Sequence, residues 1–385
     1  MTERLYYRDA YLREFSARVM ETADDGRRVY LDRTAFYPTS GGQMFDTGIL
    51  GGARVIDVID EQERIAHVLD KPVAEGELSG SIDWARRWDN MQQHSGQHLL
   101  SAVLEEQFHL KTVSCHLGTE VSTIDVTAEA LGEERMELVE QRCAEIVASA
   151  KPMTISFEDP SNDLGLRKPS ERQGRLRIIT IDGIDKSACG GTHVRNTAEI
   201  GAILIRKAEK VRGQVRLEFV CGDRALRRAK EDFRILAALS RQLSVPFEKM
   251  PDTLAGQMER LKFSEKQALK LSIELAQREG KEQWTGAAAD SDGIRRQREQ
   301  GPIDDAARTR AQAFVSQGKA VFLAISETPR AVLLAASPDS GVNAGERMKA
   351  AMTTHKGRGG GNAGLAQGSL PGDARMDKIA DELMA

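Results

Sequence analysis

The chain reads as an α+β protein of several domains, and three observations say so. Short β-prone runs separated by turns occupy the first 85 residues, a helical period of apolar residues takes over from Asp83, and helix alternates with apolar strands beyond residue 302. At 385 residues the length suits two or three domains, each able to bury a core of its own. A hydrophobic content of 40 % beside a charged content of 29 % is that of a soluble globular chain, and the longest wholly apolar runs, such as 331–336, are far too short to span a bilayer. The N-terminus is charged from the start and lacks the apolar stretch of a secretory leader, so a cytoplasmic location without membrane contact is expected. The cysteines at 115, 143, 189 and 221 do not have the spacing of a disulfide framework.

Residues 1–85 carry β-prone runs at 28–31, 53–58 and 65–69, which predict a small β-barrel-like domain or sandwich. Between the first two runs lies Phe36-Tyr-Pro-Thr-Ser-Gly-Gly-Gln43. The paired Gly41 and Gly42 permit backbone conformations closed to other residues and let a ligand come close, although a tight turn would need the same residues. From Asp83 onward Trp84, Trp88, Met91, Ser95, Leu99 and Val103 recur with a helical period, and Leu100, Leu104 and Phe108 widen the stripe. Strand-like 121–126, a helix near 133–150 and strands near 175–182 and 201–220 complete an α+β domain over 86–222. Residues 223–285 are charged and helical, with Pro246 and Pro251 as interruptions. Leu254, Met258, Leu261, Ala268 and Leu275 approximate a heptad seam broken by Glu265, so a helical hairpin or coiled-coil spacer is expected. Gly280 is expected to end that helix and 285–300 to form a flexible link. In 286–385 a helix at 304–317 and strands at 320–325 and 330–336 predict a compact α/β module. Its Gly-rich stretch from Lys356 to Gly368 leaves backbone amides free, and Lys356 and Arg358 can meet phosphate.

Two short segments carry the chemistry. His94-Ser-Gly-Gln-His98 places two imidazoles at i and i+4, on one face of the helix and within reach of one ion. Cys189-Gly-Gly-Thr-His193 follows a strand-like run and supplies a thiolate and a third imidazole. Three nitrogens and one sulfur suit a borderline-soft tetrahedral ion, so His94, His98, Cys189 and His193 are expected to bind Zn²⁺. The charge is also uneven: between Leu164 and Lys230 sixteen Lys/Arg face seven Asp/Glu, in a chain whose net charge is −4. That is the footprint expected of a polyanion partner, with Arg206, Lys207, Lys210 and Arg212 as candidate contacts.

His94-Ser-Gly-Gln-His98-Leu-Leu, Asp185-Lys-Ser-Ala-Cys189-Gly-Gly-Thr-His193 and Ile200-Gly-Ala-Ile-Leu-Ile205 together resemble the editing domain shared by alanyl-tRNA synthetases and the free-standing alanyl-tRNA editing proteins. The 36–43 run resembles the glycine motif of that family's preceding β-domain. The stretch 357–368 resembles the C-terminal DHHA1-like module that synthetases append behind a coiled coil, without the Asp-His-His motif of the phosphoesterases that share it. The resemblance covers essentially the whole chain, in the order of the long free-standing form.

It implies a hydrolase that removes a wrong amino acid, serine above all and glycine as a further candidate, from tRNA for alanine. ATP-dependent ligation is not expected. An aminoacyl ester is already activated, so an oriented water suffices, with Gln97, His116 and Thr192 as candidates for ordering it. A second site that hydrogen-bonds the serine hydroxyl would spare alanine, with Ser114, Thr123 and Thr39 as candidate partners. Where the synthetase form tends to carry a polar residue near the substrate, this chain reads Val113-Ser-Cys-His-Leu117, so Ser114, Cys115 and His116 compete for that place. Gly41 and Gly42 are expected beside the substrate, and the spacer or the C-terminal module could carry a homodimer. Two alternatives stay open: a tRNA-binding module with a structural zinc, and an editor of another mischarged tRNA.

Overall fold

Six strands near the N-terminus hydrogen-bond into a closed ring. They are Glu14–Ala23, Arg28–Leu31, Arg64–Leu69, Ala53–Glu61, Gly48–Leu50 and Glu77–Ile82, and the last pairs back onto the first. The computed structural model describes residues 1–159, 164–168 and 174–385, so Arg172 of the basic stretch lies outside the described residues. Period-two alternation builds the ring's interior: along Glu77–Ile82, Leu78, Gly80 and Ile82 turn inward while Glu77, Ser79 and Ser81 face water. Val29, Leu31, Leu50, Val55, Val58, Ile65 and Leu69 fill the rest. Among these carbons sits His67, fully buried, with Nε2 2.8 Å from Thr34 Oγ1 and Nδ1 3.1 Å from the Val29 carbonyl. Burial outweighs the Val29 hydrogen bond and holds its pKa at about 4.

Helix α1 (Trp84–Phe108) follows at once. Asp83 caps it by accepting from the Arg86 amide. Met91, Ser95, Leu99 and Val103 are buried as the helical period requires, but Asn90, Gln92, Gln93 and Gln97 on the other faces are buried as well. Their amides answer backbone groups of neighbouring segments. Gln93 donates to the Cys221 carbonyl at 2.9 Å and accepts from the Cys221 amide at 2.8 Å, while Gln92 donates to the Glu199 carbonyl at 3.0 Å and accepts from the Asp223 amide at 3.2 Å. Gly96 permits that fit, since a Cβ there would stand 2.2 Å from Cys221 Sγ. Arg87, also fully buried, donates through Nε to both Asp46 oxygens at 3.0 and 3.1 Å, and through its other nitrogens to the Ala10 and Ala35 carbonyls at 2.7 and 2.6 Å.

Two antiparallel sheets share a core with α1. One runs in the order Ile203–Val211, Gln214–Cys221, Ser122–Val126, Thr112–Leu117, and the other in the order Met153–Glu158, Leu176–Ile181, Asp185–Ala188. Helix α2 (Glu133–Ala148) adds Val139, Cys143 and Ile146 to that core. These elements and the ring belong to a unit spanning Met1–Leu239, and a second unit spans Ser240–Ala385. Helix α3 (Gly222–Leu243) crosses the division.

In the second unit, helix α4 (Met250–Gly286) exposes Leu254, Met258, Leu261 and Leu275, so the heptad seam is a surface stripe. The expected stop at Gly280 does not occur. A glycine is needed there for packing, because a Cβ would stand 2.3 Å from the Arg310 carbonyl of helix α5 (Asp305–Val315). Nor is 285–300 a free link, since Arg295–Gln300 is an edge strand parallel to Ala320–Glu327. Its charges hide it from the apolar pattern and are met pairwise: Arg298 by Asp377 at 2.7 Å and Asp381 at 3.3 Å, Glu299 by Arg310. Arg330–Ala336, Leu365–Ser369 and Arg358–Gly361 continue the sheet in antiparallel order, so the glycine run forms its other edge. Alternation sends Val321, Leu323 and Ile325 toward α6 (Ala344–Thr354) and α7 (Met376–Met384), and Ala320, Phe322 and Ala324 toward α5. Among the described residues no helix is long and apolar enough to cross a membrane.

His67 makes stability depend on pH. Its folded pKa of about 4 lies below the ordinary 6.5, so between these values the unfolded chain takes up a proton that the folded one refuses. Its contribution is fully present above pH 6.5 and declines as pH falls toward 4, by about 3 kcal/mol in all. Urea midpoints measured from pH 7.5 to 4.5 should fall less steeply for His67→Phe than for the wild type, and parallel curves would refute this.

Candidate metal centre

Helix α1 presents His94 and His98 one turn apart, and the strand Asp185–Ala188 delivers Cys189 to them at its end. His193 arrives after the short Gly190-Gly191-Thr192 turn. The four donor atoms lie within 4.8 Å of one another. Cys189 Sγ is 3.4 Å from His94 Nε2 and 3.3 Å from His193 Nε2, and the ring of His98 lies 5.3 Å from that of His94 and 4.8 Å from that of His193. Gly191 is what lets the turn pass, since a Cβ there would stand 2.1 Å from His94 Cε1.

Each imidazole is held from behind through Nδ1. His94 Nδ1 meets Gln43 Oε1 at 2.8 Å, His98 Nδ1 meets Asp185 Oδ2 at 3.0 Å, and His193 Nδ1 meets Ser95 Oγ at 3.2 Å. Gln43, Ser95 and Asp185 are the functional residues that spacing alone does not single out. Each stands inside or beside a motif, and the need of a ligating histidine for a partner on its second nitrogen is the signal that finds them. Arg167 steadies Asp185, donating from Nε to Oδ1 at 2.7 Å, and Ser187 donates to both carboxylate oxygens.

The charges follow from this packing. Burial alone would raise the Cys189 thiol, but His94 and His193 lower it well below the ordinary range, so the sulfur is a thiolate. Burial pulls His98 down, yet its hydrogen bonds to Asp185 and Cys189 prevail and raise it to about 9. Burial and His94 together hold His193 at about 3. Burial would lift Asp185, but His98 and Arg167 keep it at about 2. An ionised thiolate and three oriented imidazoles converging on one point fit a metal ion.

A cavity of about 450 Å³ opens beside the cluster, with Gly41, His94, Gln97, His98, Thr112, Val113, Ser114, Cys115, Arg167, Lys168, Ser187 and Cys189 among its lining. Gln97 is buried in that wall and donates to Ser101 Oγ at 2.8 Å. Thr192 is turned away from the cavity and holds Gln43, accepting from its Nε2 at 2.8 Å and donating its own amide to Oε1 at 3.1 Å. His116 and Thr123 face each other across adjacent strands, beyond the lining. Thr39 accepts from the Phe45 amide at 3.2 Å and lines a separate cavity with Tyr37 and Ser40. Gly42 has a φ of +84°, and its amide carbonyl receives the Leu117 amide at 2.9 Å, which docks the glycine loop on the strand Thr112–Leu117.

Among the basic candidates, Arg206 is paired with Asp232 and Lys207 with Glu209 at 2.5 Å. Lys210 and Arg212 stand exposed near the tip of the hairpin formed by Ile203–Val211 and Gln214–Cys221, without an ion pair among the described residues. Lys356 and Arg358 are exposed at the glycine-rich edge of the second unit.

Comparison with known proteins adds an independent line. Residues 176–217 match the family described as threonyl and alanyl tRNA synthetase second additional domain, and residues 296–385 match the DHHA1 domain. The chain is 32 % identical to the alanyl-tRNA editing protein AlaX-L of Pyrococcus horikoshii, over 99 % of its own length and 97 % of that protein. It is 32 % identical to the alanyl-tRNA editing protein Aarsd1 of Danio rerio, over 70 % of each chain. With the alanine–tRNA ligase of Pyrococcus furiosus it shares 33 % identity over 71 % of its length but only 32 % of the ligase.

The geometry predicts which residues control metal content. Purified protein should carry about one ion per chain, Cys189→Ala should lose most of it, and Cys143→Ala should lose none. Gln43→Leu, which removes only the partner of His94, should weaken affinity in a chelator competition by about 10- to 100-fold. Full occupancy in the double variant Cys189→Ala, His193→Ala would rule the cluster out as the binding site.

Proposed function

Because the chain belongs to the alanyl-tRNA editing family, we propose that it hydrolyses the ester joining a wrong amino acid, serine above all and glycine as a further substrate, to tRNA for alanine. The observation that carries this reading is the cavity: it opens on the His/Cys cluster and counts Gln97, Thr112, Ser114, Arg167 and Lys168 in its lining. A terminal nucleotide would bring phosphate to Lys168 while its aminoacyl ester enters the cavity.

Zinc is the ion that this donor set suits, through His94, His98, Cys189 and His193, and when bound it supplies Lewis acidity at the ester. The chain's own side chains do the remaining work. Gln97, one residue before His98 on the cavity wall, would order the attacking water, and its presence in the lining, which Thr192 and His116 do not share, supports it over them. Ser114 and Cys115 line the wall across from the cluster, Gly41 closes the loop end, and Gly42 holds that loop in place. A second reading keeps the ion structural, held by four protein donors, and has the chain only bind tRNA. An editor of another mischarged tRNA is a third.

The same reading treats the closed ring of strands as a small barrel-like domain that supplies the glycine loop. It assigns tRNA phosphate to Lys210 and Arg212, and to Lys356 and Arg358 on the C-terminal module, and gives Arg206 and Lys207 a smaller share because each already has an acidic partner. The exposed stripe of Leu254, Met258 and Leu261 on the helical spacer, or the module itself, would join two copies. A cytoplasmic place follows from the substrate.

Without ATP, the protein should release serine from Ser-tRNA for alanine faster than alanine from the correctly charged tRNA. Gln97→Leu should lower kcat on the serine ester about a hundredfold with little change in metal content. Equal rates on the two esters would favour the binding-module reading. Binding of tRNA by the full-length variant Lys356→Ala, Arg358→Ala should weaken, and its slope of log Kd against log salt should become shallower by about two charges. An unchanged slope would remove the module from the phosphate interface.

A further inference from the structure

One wall of the cavity is the edge strand Thr112–Leu117, whose register against Ser122–Val126 shifts between Asp125 and Val126. A bulge of this kind re-aims side chains, and Thr112, Val113, Ser114 and Cys115 all reach the lining. Ser114, Asp125 and Arg216 stand directly opposite one another on three consecutive strands. Arg216 clamps Asp125 with Nε on Oδ1 at 2.7 Å and Nη2 on Oδ2 at 2.9 Å, and Ser114 Oγ lies 2.8 Å from Oδ2.

The direction of that last bond is fixed by chemistry. The Arg216 guanidinium holds the Asp125 carboxyl below its usual range despite some burial, so the carboxylate only accepts and Ser114 must donate. A hydroxyl has one proton. With that proton given to Asp125, Ser114 can only accept from whatever enters the cavity. The other hydroxyls of the wall are differently engaged: Ser187 also donates to a carboxylate but already receives Arg167 Nη2 at 3.3 Å, and Thr112 is paired at 2.7 Å with another hydroxyl, Ser101 Oγ, so no charged partner fixes which of the two donates. Asp185 is engaged by His98 and Arg167, and among the described residues no carboxylate belongs to the cavity lining.

An aminoacyl ester carries one group that an acceptor of this kind suits best, the α-ammonium, a charged donor with no lone pair. We propose that Ser114 receives the α-ammonium of the esterified amino acid, with Asp125 and Arg216 as positioning residues that fix the hydroxyl as an acceptor. This rests on the deacylase reading and deepens it. Contact at the ammonium would orient every aminoacyl ester alike, and side-chain discrimination would lie elsewhere in the cavity.

The test compares Ser-tRNA for alanine with its α-hydroxy analogue, made by nitrous acid deamination, which keeps the shape and removes the charge. Full-length wild type should prefer the amine by about tenfold in kcat/KM, Ser114→Ala should bring that ratio close to one, and Ser114→Thr should restore it. Asp125→Asn should lower the ratio in the same direction, because an amide can donate to Ser114 and turn its proton toward the cavity. A structural role for the row would change both rates without moving their ratio. An active enzyme whose Ser114→Ala variant keeps the wild-type ratio overturns the assignment alone. A wild type inert on both esters overturns the deacylase reading and the assignment with it.

Discussion

A thiolate set among three imidazoles at the wall of a cavity is the constraint on which the first unit is built. Cys189 is half-buried in the cavity wall, and its ionised sulfur is held where imidazole nitrogens and the Gly191 amide converge on it. The helix α1 therefore runs through the core rather than along its surface, with His94 and His98 pointing at the sulfur. Burying a helix that carries Asn, Gln and His would leave amides unsatisfied, and the structure resolves this by making Gln92 and Gln93 hydrogen-bond partners of strand ends and turns. Gly96 and Gly191 remove the two side-chain atoms that would keep helix, strand and turn apart.

The same constraint reaches the ring of strands through one loop. Asp46 binds Arg87 in the first turns of α1, and Gln43, three residues earlier, binds His94 about two turns further along. The two contacts hold the loop at both ends of a short stretch of helix. Just before Gln43, Gly41 and Gly42 take positive φ, which lets the backbone lie against the strand Thr112–Leu117 beside the cavity. A domain that contributes no ligand to the cluster thus decides the orientation of one ligand and the shape of the space beside it.

Charge is distributed with similar economy. Arg167 meets Asp185, and Asp185 meets His98, so a basic residue of the cavity lining is linked through one carboxylate to a donor of the cluster. On the opposite wall Arg216 meets Asp125, and Asp125 meets Ser114. His98 and Ser114, which both face the cavity, thus each have a hydrogen-bonding partner behind them, and groups held in this way need little reorganisation when a ligand arrives.

What the sequence determined by itself is what short-range periodicity and spacing can carry. The i, i+4 histidines and the Cys-Gly-Gly-Thr-His segment offered four donors on two pieces of chain, the helical period from Trp84 announced α1, and the apolar runs near 320 and 331 announced two strands of the second sheet. The tertiary structure decided what stands behind those groups. Gln43, Ser95 and Asp185 became partners of the histidines, Thr192 turned to hold Gln43 rather than face the cavity, and Ser114, Asp125 and Arg216 fell into one row across three strands. It also placed the charged strand Arg295–Gln300 at a sheet edge and carried α4 past Gly280. The reason is physical: a ligand pair or a helical stripe is defined by residues a few positions apart, whereas a hydrogen-bond partner, an edge strand and a glycine contact are defined by atoms brought together from distant parts of the chain, and only packing selects among the many that could have met.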